Sequence, residues 1–180
     1  MKRFGALILS LGLVITLLSG CGSKSNDGLL SDFTSTTIGG EEVDSSIFAD
    51  YDLTLVNVWG TFCPKCIPEM TDLAALADEY AGTKVQIIGI VGDIRYTDGE
   101  HQDEKIQLAK DLIKQTGATN YMHILPSDSL AKAILDDMQG FPTTFFIDSE
   151  GNKVGTTFML ARDKQFWADT IEARLKEVQK

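Results

Sequence analysis

The sequence predicts an α/β domain built on a mixed β-sheet. Apolar β-rich runs alternate with segments of helical periodicity, and the chain then folds back in a hairpin pattern before a last helix. A Cys63-Pro64-Lys65-Cys66 run lies between the first core strand and the first helix. It places two thiols at a strand-to-helix junction. No internal repeat is present.

The elements follow in order. Residues 32–50 form a lead-in with a turn at Ile38-Gly39-Gly40-Glu41. Residues 53–59, with Leu53, Leu55, Val56 and Val58, read as a central strand. Residues 64–80 carry Leu73, Leu76, Ala77 and Tyr80 at helical spacing. Residues 85–91 are continuously apolar, as in a strand buried on both faces. Residues 95–103 are polar and contain Gly99, a loop. Residues 105–115 form an amphipathic helix through Ile106, Ala109, Leu112 and Ile113. Residues 122–125 read as a strand and 129–138 as a further helix. Residues 143–148 and 153–159 pair around Ser149-Glu150-Gly151-Asn152. Asp163 is an N-cap for a helix that ends near Val178.

The N-terminal segment is expected to lie outside the domain. Lys2 and Arg3 precede an apolar stretch, and Leu18-Ser19-Gly20-Cys21 sets small residues before a cysteine. The pattern resembles a bacterial lipoprotein lipobox, which implies a signal peptide over residues 1–20 and lipidation of Cys21. A membrane-spanning anchor is the competing reading; the stretch is short for that and no basic stop follows it. Residues 21–31 then form a flexible tether, and 32–180 the domain. The expected location is the extracytoplasmic face of the cell membrane.

The full chain has a net charge of −10, and loss of Lys2 and Arg3 with the leader makes it −12. Such a surface excludes nucleic acid and anionic lipid as charge-selected partners. Three cysteines are present. With Cys21 acylated, only the C-x-x-C pair remains, so there is no structural staple.

Two thiols at that spacing by a helix start lie one turn apart and can close a disulfide. The first, Cys63, sits where unpaired backbone N–H groups and the helix dipole favour a thiolate, and Lys65 adds a positive charge. Cys63 is therefore the candidate nucleophile and Cys66 the resolving thiol. Pro64 at the first helical position would cost no hydrogen bond. Glu69, three residues after Cys66, falls on the same helical face. Pro68 lacks the N–H that would bond the Pro64 carbonyl, so a bend is expected one turn into the helix. His101 and His123 show no metal-ligand spacing to the cysteines; His101 belongs to the polar loop and His123 to a half-buried strand.

These residues resemble the thioredoxin superfamily, and within it the lipoprotein or membrane-anchored TlpA/ResA-like thiol–disulfide oxidoreductases. Four segments carry the resemblance: Asp32-Phe33-Thr34 with Gly40-Glu41-Glu42-Val43, Leu55-Val56-Asn57-Val58-Trp59, Cys63-Pro64-Lys65-Cys66 with Glu69, and Gly140-Phe141-Pro142-Thr143-Thr144-Phe145-Phe146-Ile147-Asp148. Residues 32–178 are covered. The resemblance implies a thioredoxin-like fold, a central mixed sheet flanked by helices, with an N-terminal extension and a central insertion. It implies no cofactor beyond a redox-active Cys63–Cys66 disulfide, and no metal. It makes Glu69 the acid handling the Cys66 proton in place of a buried Asp, whose position is Asn57 here. It makes Pro142 cis, with the Phe141 backbone free to pair with a substrate segment and Trp59 and Phe62 as apolar ground beside the sulfurs. Two positions depart from the pattern: Phe62 replaces a second Trp, and Thr71 stands where the helix usually carries proline.

The activity so implied is reduction of disulfides in exported proteins, such as apocytochrome c or an exported repair enzyme, with electrons from a membrane thiol donor. A monomer is expected. The alternatives are a disulfide-forming oxidant and a metal-binding chaperone of the same fold. The chaperone would need C-x-x-x-C and a placed His, and this chain has neither. A peroxiredoxin would place Thr three residues before the cysteine, whereas Thr61 is two before.

Overall fold

The computed structural model describes residues 28–94 and 102–179. Seven strands form one sheet: β1 (Thr34–Thr37), β2 (Glu42–Asp44), β3 (Leu53–Trp59), β4 (Val85–Val91), β5 (Met122–Leu125), β6 (Thr143–Ile147) and β7 (Lys153–Met159). Among the described residues four α-helices accompany them: α1 (Cys66–Glu79), α2 (Asp103–Thr116), α3 (Asp128–Ile134) and α4 (Lys164–Val178). The strand order is β2-β1-β5-β4-β3-β6-β7. The three central strands β5, β4 and β3 are parallel, and the flanking pairings are antiparallel. The sheet is mixed, as the element pattern predicts.

Strand alternation sorts side chains to two cores. Leu53, Leu55 and Trp59 pack with Met70 and Leu73 of α1, Ala109 and Ile113 of α2, and Trp167 and Ile171 of α4. Val56 and Val58 face the other way, onto Leu130 and Ala131 of α3 and Leu30, Phe33 and Phe48 of the lead-in. All seven residues of β3 are buried, because helices or lead-in cover both faces. Asp163 caps α4 by accepting the Phe166 N–H at 2.9 Å.

Several boundaries differ from expectation. Packing begins before residue 32. Leu30 is buried, and its N–H donates to Gly151 O at 3.0 Å, so residues 28–31 belong to the fold rather than to the tether. Helix α1 starts at Cys66, not Pro64. Cys63 O accepts the Cys66 N–H at 3.1 Å, which closes a turn over Pro64-Lys65 ahead of the helix. Pro64 is therefore a turn residue. Pro68 becomes the third residue of α1, where a backbone N–H has no partner within the helix. No helical bond is lost at that position, which removes the ground for the expected bend. Helix α3 is shorter than predicted: Leu135 N–H makes its last helical bond, to Ala131 O at 2.7 Å, and the chain then turns towards β6. Residues 1–27 and 95–101, with Cys21, most of the polar loop and His101, lie outside the described residues.

Candidate active site

The site forms at the C-terminal ends of β3 and β4, paired in parallel from Leu53↔Val85 to Trp59↔Val91. Ligands of open α/β sheets gather at this edge. From Trp59 the chain turns through Gly60 and Thr61 to Phe62 and Cys63, with Cys63 N–H bonded to Gly60 O at 3.0 Å. Cys63 and Cys66 are joined as a disulfide, their Cα atoms 5.4 Å apart. Cys63 keeps 6% of its exposure and Cys66 none, so only Cys63 offers a sulfur to an incoming thiolate.

A groove of about 510 Å³ opens beside Cys63, lined mainly by Phe62, Pro64, Leu135, Met138 and Phe141, with Lys65 at its rim. Phe62 is 69% exposed and meets Phe141 edge-on, the ring centroids 5.6 Å apart. The Phe141 ring lies close against two glycines. A Cβ on Gly92 would stand 2.6 Å from Phe141 Cε1, and one on Gly60 3.2 Å from its Cδ2. The Phe141-Pro142 bond is cis, as the resemblance implies. Pro142 itself is buried, and its carbonyl accepts the Leu160 N–H at 3.1 Å.

Trp59 does not contribute to this surface. It is fully buried, and its Nε1–H donates to His123 Nδ1 at 3.2 Å. Its expected place beside substrate is thus corrected: strand alternation turns the ring into the core. His123 is buried rather than half-buried, with Nε2 2.9 Å from Ala118 O. The bond accepted from Trp59 makes Nε2 the protonated nitrogen. Burial lowers the His123 pKa to about 4, so the ring is neutral at neutral pH. Both ring nitrogens are engaged. Among the described residues, no three His, Cys, Asp or Glu side chains converge to hold a metal ion.

Glu69 lies one turn into α1 below Cys66 and is 1% exposed. Its Oε2 accepts from Asn57 Nδ2 at 3.0 Å; its Oε1 accepts from Trp167 Nε1 and from the Arg162 N–H, each at 3.0 Å. Asn57 Nδ2 also donates to Thr144 Oγ1 at 2.9 Å. Burial raises the Glu69 pKa above its ordinary value, and the three N–H donors pull it part of the way back. Asn57 Oδ1 is buried without a hydrogen-bond partner.

The structure therefore brings Cys63, Phe62, Pro64 and Phe141 to one groove, with Cys66 buried behind Cys63 and Glu69 one turn further along α1. Sequence reasoning missed Trp167, the Arg162 N–H, Leu135 and Met138. Trp167 could be placed on α4 from the Asp163 cap, but no local signal ties it to a carboxylate 98 residues earlier.

A family model described as the AhpC/TSA family matches residues 29–154. The chain belongs to that family. The thiol:disulfide interchange protein DsbE of Allochromatium vinosum is 29% identical over 125 residues, which are 67% of this chain and 58% of that protein. The match thus spans less than two thirds of this relative's length. Among solved structures, a thioredoxin-family thiol:disulfide interchange protein from Chlorobium tepidum superposes with a TM-score of 0.64 at 22% identity, covering 80% of this chain and 93% of that one. A DsbF homologue from Corynebacterium diphtheriae gives 0.61 at 24% identity, covering 80% and 85%. At such identities these structures show the fold. The AhpC/TSA-family domain is thioredoxin-like, a central mixed sheet flanked by helices.

The raised Glu69 pKa has a consequence for stability. Between its ordinary value of 4.5 and the raised one, the folded protein holds a proton that the unfolded chain has released. Stability from this group therefore falls as pH rises through that window. Glu69→Gln removes the titration, and a flip of the Asn57 amide would offer Oδ1 to the new Gln N–H. The variant is expected to lose less stability than wild type between pH 4.5 and 8. Urea unfolding of both proteins across that range measures the difference, and parallel curves would return Glu69 to the status of a carboxyl with unshifted pKa.

Proposed function

We propose that this chain is an extracytoplasmic, lipid-anchored thiol–disulfide oxidoreductase that reduces disulfides in exported proteins. The observation that carries the reading is the Cys63–Cys66 disulfide at an apolar groove, with a buried carboxyl one turn below. The family membership and the DsbE-like relative support thiol–disulfide chemistry. Apocytochrome c and exported repair enzymes are the substrate types that the TlpA/ResA-like resemblance suggests, with a membrane thiol donor to regenerate the dithiol.

In the reducing direction, the Cys63 thiolate attacks one sulfur of the substrate disulfide. That S–S bond breaks, the other substrate sulfur leaves as a thiolate and takes up a proton, and a mixed disulfide remains. Cys66 gives its proton to Glu69 and attacks the Cys63 sulfur. The second substrate thiol departs, two electrons have passed to the substrate, and the Cys63–Cys66 disulfide closes. Phe62, Pro64 and Phe141 would hold the apolar residues that flank the substrate's cysteine. Peroxide reduction is less well supported, because the Thr61 hydroxyl is committed to Asp93.

Direction depends on the stability of the Cys63 thiolate. The α1 N-terminus and Lys65 favour it, which is oxidising. A charged Glu69 and the acidic surface oppose it. The expected potential is below about −200 mV, nearer thioredoxin at roughly −270 mV than DsbA at roughly −120 mV. Equilibration of the soluble domain in glutathione buffers measures it. A value above about −150 mV would make the protein an oxidant.

The cysteine roles predict an asymmetry. Cys66→Ser should accumulate mixed disulfides through Cys63, and Cys63→Ser far fewer, on non-reducing gels after thiol quenching. Equal trapping would remove the assignment.

Anchoring rests on the lipobox-like run, which lies outside the described residues. Cys21→Ala should release the protein from membranes in cell fractionation. Retention of that variant, with no fatty-acid label on wild type, would point to an uncleaved span instead.

A further inference from the structure

Thr61 stands two residues before Cys63 and directs both of its donors to one side chain. Its backbone N–H donates to Asp93 Oδ1 at 3.0 Å, and its hydroxyl donates to Asp93 Oδ2 at 2.6 Å. Asp93 lies two residues beyond the end of β4. It thus reaches across from the strand parallel to β3 and grips the turn that β3 leads into. The backbone is tied at the same place, where Gly92 N–H donates to Trp59 O at 2.8 Å. The Phe141 ring packs against Gly92 and fills the space where a side chain would be. The Asp93 carbonyl accepts from Lys105 Nζ at 3.3 Å, which ties it to the start of α2 as well.

Packing does not account for this pair. Thr61 and Asp93 are only half-buried and belong to neither hydrophobic core. What the two bonds fix is the path of Gly60, Thr61 and Phe62, and so the position of Cys63 relative to Cys66. Two bonds from one carboxylate set orientation as well as distance.

We propose that Asp93 is a positioning residue for thiol–disulfide exchange: by clamping Thr61 it holds the turn in which the Cys63 sulfur meets Cys66. The inference rests on the reading of the pair as a redox couple. Without the clamp the turn gains freedom, the effective concentration of one thiol at the other falls, and the disulfide closes less favourably. The couple becomes more oxidising. Asp93 also places a carboxylate within roughly 10 Å of Cys63, the span of the intervening residues. Lys65 in the turn, Glu69 on α1 and Lys105 at the start of α2, bonded to the Asp93 carbonyl, are further charged groups on the adjoining segments. Loss of the Asp93 charge favours the thiolate, which moves the couple the same way. The variants must therefore separate geometry from charge.

Asp93→Asn does so. Its amide oxygen can accept the Thr61 N–H and its amide N–H can donate to the Thr61 hydroxyl, so the clamp survives and the charge does not. Asp93→Ala loses both. The test is the equilibrium constant of the Cys63–Cys66 couple against glutathione, a quantity that a purely structural role would leave in place while it lowered the melting temperature. Asp93→Ala is expected to shift it about tenfold towards the dithiol, which is about 30 mV for two electrons. Asp93→Asn should shift it less than threefold. Thr61→Val should shift it about threefold, and Thr61→Ser, which keeps the hydroxyl, should restore it. A shift under threefold in Asp93→Ala overturns the proposal, as does an equal shift in Asp93→Asn, which would assign the effect to charge. If circular dichroism shows Asp93→Ala unfolded, the Thr61 pair decides: no difference between Val and Ser overturns it. Wild type sets the two readings apart. If it fails to titrate as a two-electron couple, the redox reading falls and takes this inference with it. If it titrates and the variants do not differ, only the clamp is lost.

Discussion

The Glu69 carboxylate bonds to Asn57 on β3, to Trp167 on α4 and to the backbone of Arg162 just after β7. One buried group thereby joins α1 to the central strand, to the last helix and to the end of the edge strand. The active-site turn stands on the first residue of α1, so these bonds also fix the platform beneath the disulfide. An acid buried without donors would cost far more than a hydrogen-bonded one. Here three N–H groups face it, and the burial that remains still raises its pKa. The atoms that tie these elements together are those that carry the shifted pKa.

Around that platform the sheet supplies a row of polar contacts. Thr144, Asn57, Gly89 and His123 are paired side by side across β6, β3, β4 and β5. Gly89 is open because His123 and Trp59 occupy its side-chain space: a Cβ there would lie 2.4 Å from His123 Nδ1 and 3.1 Å from Trp59 Nε1. The expected surface role of Trp59 fails for the same reason. Its indole N–H is satisfied inside, by a histidine kept neutral through burial. Exposed apolar ground beside Cys63 comes instead from Phe62, propped on Phe141.

Much of the fold was legible from local pattern. The limits of β3, β4, β5 and β7 and the cap of α4 coincide with the expected spans: β3 and β4 are apolar runs buried on both faces, β7 is the return arm of a hairpin, and Asp163 caps α4. The less legible boundaries lie where the active site imposes its own geometry. Helix α1 starts two residues late because the Cys63–Cys66 turn precedes it, and Pro68 is harmless for that reason. Helix α3 stops early, which leaves Leu135 and Met138 on the groove. Leu30 reads as tether by composition, yet it fills a core position against the turn at Gly151.

The sequence by itself determined the chemistry: two thiols at C-x-x-C spacing after a buried strand, an acid one turn on, and a Gly-Phe-Pro-Thr strand to face them. Those are short-range patterns, and the 3.6-residue and 2-residue periods translate them directly into faces. Only the tertiary structure decided which groups satisfy Glu69, which aromatic ring is exposed, and what holds the turn before Cys63. Those partners come from residues such as Asp93, His123 and Trp167, 32 to 98 positions away in the chain. Hydrogen bonds between such groups depend on distance in space, and a local sequence pattern carries no record of it.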